Sequence, residues 1–214
     1  MKIEALHKFH DADFSKEWAE KFEPTPPRIK LFDTILKQIE KVRSKKTSIL
    51  ELGIGPGFLA DYVLKELNNV TYEGLDFSES MLKIAARRTA KYQNIIKFTQ
   101  ADLITEAWEE KLKKSPDVVV STWALHDLFS KNNIYNVYKS VYKILPEDGV
   151  FLNGDFTKPE ESNHEYEGGR IKPSEHLKLL QAAGFKSVKC LEEFEKDVEN
   201  PTTANNYACF WAKK

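Results

Sequence analysis

The chain carries only two cysteines, Cys190 and Cys209, in 214 residues. Two thiols so placed give neither a disulfide framework nor a zinc-type spacing, and they read as small buried residues near the last strands. An excess of one charge is also missing. Thirty-two Lys and Arg stand against 33 Asp and Glu, a formal net charge of −1, so there is no large electrostatic footprint for nucleic acid. Two basic runs, Lys41 to Lys46 and Lys111 to Lys114, read as solvated helix ends, where cations complement the dipole. No apolar run is long enough to span a bilayer. The segment Met1 to His10 lacks the apolar centre of a signal peptide. Internal repeats and low-complexity segments are absent. The default expectation is a reducing, cytoplasmic location and one α/β domain with additions.

What the chain does have is concentrated in Ser48-Ile-Leu-Glu-Leu-Gly-Ile-Gly-Pro-Gly-Phe-Leu-Ala60. An apolar run enters Gly53, Gly55 and Gly57, and a helical apolar pattern follows, which is a strand, a glycine turn and a helix start. Glycines remove the Cβ atoms that would keep a ligand off the backbone, and the helix start offers unpaired N–H groups and partial positive charge. A nucleotide-like ligand is expected there. The second piece, Val70-Thr-Tyr-Glu-Gly-Leu-Asp76, reads as a buried strand ending in an acid, placed beside the first strand by a β-α-β unit. Ser78 then reads as the N-cap of the next helix. The third, Ile95 to Leu103, contains Asp102. The fourth, Pro116-Asp-Val-Val-Val-Ser121-Thr-Trp123-Ala-Leu-His126-Asp127-Leu, holds three valines typical of a strand buried on both faces, then breaks into polar and aromatic residues. The fifth, Leu145 to Asn153, is a turn and a strand.

Helices are predicted near 14–22 and from Pro26-Pro27 to about Val42, then near 57–68, 78–91, 105–113 and 131–144. A last helix is expected from Ser174, as cap, to Ala183, with Gly184 as stop. Strands near 185–191 and 206–212 follow.

The dinucleotide fingerprint has a third glycine where this chain has Phe58, so the pattern is G-x-G-x-G with Glu51 ahead of it. These five pieces, over roughly residues 48–156, resemble the class I S-adenosylmethionine-dependent methyltransferases of small-molecule type. The resemblance implies an α/β three-layer α-β-α sandwich. Its seven-stranded, mostly parallel sheet would run 3-2-1-4-5-7-6 with the last strand antiparallel. It also implies a single domain over 1–214: an N-terminal helical cover (1–46), a cofactor core (47–156), a substrate-side insertion (157–171), and the last helix and closing strands (172–214).

S-adenosylmethionine is then the cofactor and S-adenosylhomocysteine the product, with no metal required. The resemblance assigns Asp76 to the ribose, Phe77 and Met81 to adenine packing, and Asp102 with the backbone of Leu103 to the adenine edge. Arg28, Glu51, Gly53, Gly55, Gly57, Ser121 and Trp123 complete the expected cofactor site. His126 is the candidate general base, since an imidazole titrates near neutral pH; a wall residue is the other reading. Adjacent helical residues do not face each other, so His126 and Asp127 are not read as a dyad. The acceptor pocket is expected from the N-terminal segment (Phe9, His10, Trp18, Phe22), from Trp123 to Phe129, and from the insertion with His164, Tyr166 and Arg170. The expected partner is a small-molecule acceptor, with oxygen ahead of nitrogen. No membrane or nucleic-acid partner is expected, and the protein is read as a monomer or homodimer. Asn/Asp-Pro-Pro-Tyr, used by amino-methylating nucleic-acid enzymes of this fold, is missing after the fourth strand. Two other classes stay open: a noncatalytic cofactor-binding subunit and an NAD-dependent oxidoreductase.

Overall fold

A computed structural model describes residues 7–42 and 46–214; the first six residues and Arg43 to Lys45, part of one basic run, lie outside the described residues. The strands are β1 (Thr47–Leu52), β2 (Val70–Asp76), β3 (Ile96–Gln100), β4 (Val118–Thr122), β5 (Val150–Phe156), β6 (Ser187–Phe194) and β7 (Tyr207–Lys213). They form one sheet in the order β3-β2-β1-β4-β5-β7-β6. β1 through β5 pair in parallel, and β7 runs antiparallel to both β5 and β6. This is the topology expected from the sequence.

Alternation along the central strands explains why the sheet is covered on both sides. Ile49, Val118, Val120 and Leu152 point to one face, Leu50, Val119 and Phe151 to the other, and all are buried. On the first face lie α2 (Pro26–Ile39), α3 (Phe58–Glu66) and α4 (Glu79–Arg88); on the second lie α5 (Lys131–Ile144) and α6 (Pro173–Ala183). α2 docks through Leu31, Phe32, Ile35 and Ile39, each worth roughly 1.5–3 kcal/mol on full burial. α1 (Ala12–Lys21) packs across α4 rather than on the sheet.

Two local expectations are corrected. The helix predicted over 105–113 is only a 3₁₀ turn, Trp108–Lys111: Trp108 alone is buried there, and Asp102 bends the chain just upstream. α6 is entered through Pro173 with Lys172 at the cap position. Ser174 lies inside the helix, its N–H held by Glu160 at 2.6 Å. Cys209 is buried, Cys190 half-buried, and both are free thiols. No helix among the described residues is long and apolar enough to cross a membrane.

Candidate active site

The sheet reverses its order between β1 and β4, and open α/β sheets place ligands at the carboxyl ends of their strands there. A cavity of about 540 Å³ lies at that point. Its floor is the glycine turn. Gly53, Gly55 and Gly57 all take left-handed backbone, at φ 68°, 51° and 80°. Their neighbours differ. A Cβ on Gly53 would strike the Ala124 side chain, and one on Gly57 would press on Ala85 at 3.1 Å, whereas one on Gly55 would meet nothing within 4 Å. Gly53 and Gly57 serve packing; Gly55 leaves a cradle open toward the cavity.

Two buried acids flank the turn. Asp76 accepts from the Gly55 N–H at 2.8 Å and the Ser78 N–H at 2.9 Å. Burial raises its pKa to about 6, with these bonds and nearby His10 opposing. Glu51, only 1 % exposed, accepts from the Tyr72 hydroxyl at 2.8 Å. Burial pushes its pKa up to about 8, against the Tyr72 bond and with added repulsion from Asp76. Neither acid has an ion pair among the described residues. Ser78 caps α4 as expected, accepting from Met81 N–H, and its hydroxyl donates to the Phe9 carbonyl. That bond ties the N-terminal segment over the turn. His7 and Phe9 line the cavity; the His7 and His10 rings each stand edge-on to Phe77 at 5.2 Å, and Trp18 stacks on Phe22 at 4.9 Å.

The opposite wall is built by the segment after β4. His126 sits in a 3₁₀ turn, Leu125–Leu128, and is held twice by one residue at the end of β5. Asp155 accepts from the His126 backbone N–H at 2.9 Å and pairs with Nδ1 at 2.8 Å. Asp155 is fully buried and also accepts from its own neighbour, the Phe156 N–H. A carboxylate in that position accepts, so Nδ1 carries the proton and Nε2 is the basic nitrogen; Asp127 lies 3.3 Å from it. Burial opposes the imidazolium, but the charge and hydrogen bond of Asp155, with Asp127, outweigh it and raise the His126 pKa above its usual value.

Arg28 lines the cavity and lies over the Trp123 ring at 5.1 Å. Arg170 lies over Phe156 at 4.4 Å, with Nε 2.5 Å from Glu167, and donates to the carbonyls of Thr202 and Thr203. It thereby joins the loop 157–171 to the connection before β7. Gly169 packs so closely on the His126 carbonyl that a Cβ would collide with it, and Gly168 does the same against the Phe129 carbonyl.

The cavity thus brings together Trp18, Phe22, Arg28, Glu51, Gly53, Gly55, Asp76, Phe77, Met81, Leu103, Trp123, His126 and Arg170. It does not bring in five others. The Asp102 carboxylate turns back on its own bend, accepting from Ile104 N–H at 2.7 Å and Thr105 N–H at 3.1 Å. The Ser121 hydroxyl donates to the Leu52 carbonyl at 2.9 Å. Gly57 is the N-cap of α3. His164 is exposed, and Tyr166 packs beside Arg170 outside the lining. Asp155 was not singled out from sequence, because an acid inside a buried strand run gives no local signal of its partner 29 residues away.

A model of the methyltransferase domain matches residues 49–149. That match spans a little under half of the chain, and the sheet around it has the Rossmann-like methyltransferase fold. A putative methyltransferase of Geobacillus is 33 % identical over 117 residues, 55 % of this chain and 44 % of that protein; the chain spans about half the length of the curated relatives it matches. Among solved structures, PigF with SAH superposes at TM-score 0.73 with 15 % identity, over 99 % of this chain and 61 % of that one. The CurJ carbon methyltransferase superposes at 0.71 with 16 % identity, over 99 % and 60 %. These likenesses show the fold. The cofactor of this methyltransferase family is S-adenosylmethionine. The open cradle at Gly55 and the two unpaired buried acids fit a ligand with ribose hydroxyls and positive charge.

Proposed function

We propose that this protein transfers a methyl group from S-adenosylmethionine to an oxygen of a small-molecule acceptor, with His126 as general base. The observation that carries this reading is the His126–Asp155 pair on the wall of the cavity whose floor is the glycine turn. Asp76 would hold the ribose, Gly55 would let the ligand lie against the backbone, and Phe77 and Met81 would pack on the base. Arg28 would hold the methionine carboxylate and Glu51 the positive charge of the same tail. When bound, the cofactor supplies an electrophilic methyl on a sulfonium.

What the chain adds is position and a proton acceptor. Holding two reactants in attack geometry lowers a barrier by up to about 7–11 kcal/mol. Asp155 fixes the imidazole so that Nε2 is the nitrogen left to take the proton of a hydroxyl acceptor. General-base help of this kind is worth about 10²–10⁴ in rate, and only to an acceptor that must lose a proton. An amine or carboxylate acceptor would gain little from it, which is why oxygen of a hydroxyl stands first. The test is radiolabelled methyl transfer into a small-metabolite extract by the wild-type protein and His126→Gln. A product whose formation falls by about 10²–10⁴ in kcat, with S-adenosylhomocysteine affinity kept, supports the reading. Unchanged turnover in the variant removes the base. No transfer despite tight cofactor binding favours a noncatalytic subunit.

A further inference from the structure

Two large aromatic residues bracket His126 in left-handed backbone, Trp123 at φ 48° and Phe129 at φ 64°. Bulky side chains avoid that region, and such outliers persist where the surroundings over-determine them, typically at functional sites. Here the surroundings are the two glycines of the loop 157–171, whose backbones lie against the carbonyls of His126 and Phe129. Phe129 is unusual in a second way. It is a large hydrophobic side chain left 50 % exposed, while its other face lines the cavity. Glycine would adopt this backbone without strain, and a polar residue would suit the exposure, so neither folding nor solubility accounts for a phenylalanine.

Its position relative to His126 does. Phe129 closes the 3₁₀ turn that holds His126, and both side chains line the same cavity. The rest of this wall is also aromatic: Phe156 stands edge-on to His126 at 5.0 Å, and Trp123 lies 6.4 Å from Phe156. We infer that the acceptor is an aromatic hydroxyl compound whose ring packs on Phe129 at the cavity mouth while its hydroxyl meets His126. This rests on the methyltransferase reading and adds the substrate class. In the transfer, an oxygen lone pair of the acceptor forms the new O–CH₃ bond as the S–CH₃ bond breaks. The bonding pair stays on sulfur, and the phenolic proton passes to His126 Nε2.

The experiment pairs calorimetric titration of S-adenosylhomocysteine with tritium transfer from S-adenosylmethionine to four probes: catechol, 4-hydroxyphenylacetate, malonate and putrescine. Wild type, Phe129→Gly and Phe129→Tyr are compared. The expected result is transfer to at least one phenol and to neither malonate nor putrescine. For that phenol, Phe129→Gly raises KM tenfold or more with kcat within threefold, and Phe129→Tyr keeps KM within threefold. Product affinity stays within twofold in both variants, and the melting temperature of Phe129→Gly is equal or higher because backbone strain is relieved. A Phe129→Gly protein with unchanged KM overturns the assignment. So does a wild type that binds S-adenosylhomocysteine and methylates neither phenol, an outcome that leaves the cofactor reading standing. A wild type that does not bind S-adenosylhomocysteine sinks that reading and this assignment together.

Discussion

Asp155 decides how His126 behaves. Its carboxylate fixes the ring from behind and raises the pKa of the imidazole. A base must be neutral to accept a proton, so the acidic limb of the kcat/KM profile should lie above pH 6.5, the ordinary value for histidine. Asp155→Asn keeps the size of the side chain but removes its charge. The limb should move to lower pH while kcat falls less than in His126→Gln, as read from pH–rate profiles of the two variants. Glu51 makes a second prediction, on stability. Its pKa is near 8 in the folded chain and about 4.3 in an unfolded one. The folded state therefore holds a proton that the unfolded state has lost, and stability declines as pH rises through that window, up to about 8. Asp76, at about 6, adds to the decline over its lower part. Glu51→Gln should flatten the fall of melting temperature between pH 6 and pH 8, measured without ligand; an unchanged slope would place the proton elsewhere.

At the scale of elements, the glycine turn and the loop 157–171 make contrasting demands. Gly55→Ala imposes left-handed backbone on an alanine, at roughly 1–2 kcal/mol, but meets no neighbour. It should fold and lose S-adenosylhomocysteine binding, because its Cβ projects into the cradle. Gly53→Ala adds a collision with Ala124 to the same strain and should destabilise the fold more strongly. Chemical denaturation and calorimetry on the two variants separate the roles. Gly169→Ala would drive the loop off the His126 carbonyl, so its melting transition should drop and acceptor turnover should fall with it.

The same elements show what sequence could and could not disclose. The Ser78 cap was readable because it acts within three residues, and Asp76 because it ends the strand that the β-α-β unit lays beside the glycine turn. Three consecutive valines in β4 announced a strand covered on both faces. Asp155 was hidden inside β5, since an acid there reads as a break in a buried run until its partner from the next-door strand end is known. Phe129 fell within the expected acceptor segment, but its strain and exposure follow from backbone angles that no periodicity encodes. Asp102 had the right place in the motif, yet two local N–H groups claim its carboxylate, a competition that only coordinates disclose.

At the scale of the molecule, the ligand-binding reading has a thermodynamic consequence. A ligand that binds only the folded state at about 100 times its Kd adds about 2.7 kcal/mol. For a chain of this size that is roughly 5–11 °C of melting temperature. S-adenosylhomocysteine should produce such a rise in wild type by scanning calorimetry, and Gly55→Ala should show none. Both the half that carries the glycine turn, from β1 to β3, and the half that carries His126 and Asp155, from β4 to β7, rest on one continuous sheet, so loosening at either end is felt through β1 and β4.

The placing of β7 between β5 and β6 bears on the order of assembly. During synthesis β6 leaves the ribosome before the strand that must lie next to it. The edge of β5 stays open until Tyr207 to Lys213 slide in. A nascent chain therefore passes through a stage with a bare, strongly apolar seam that chaperones are suited to shield.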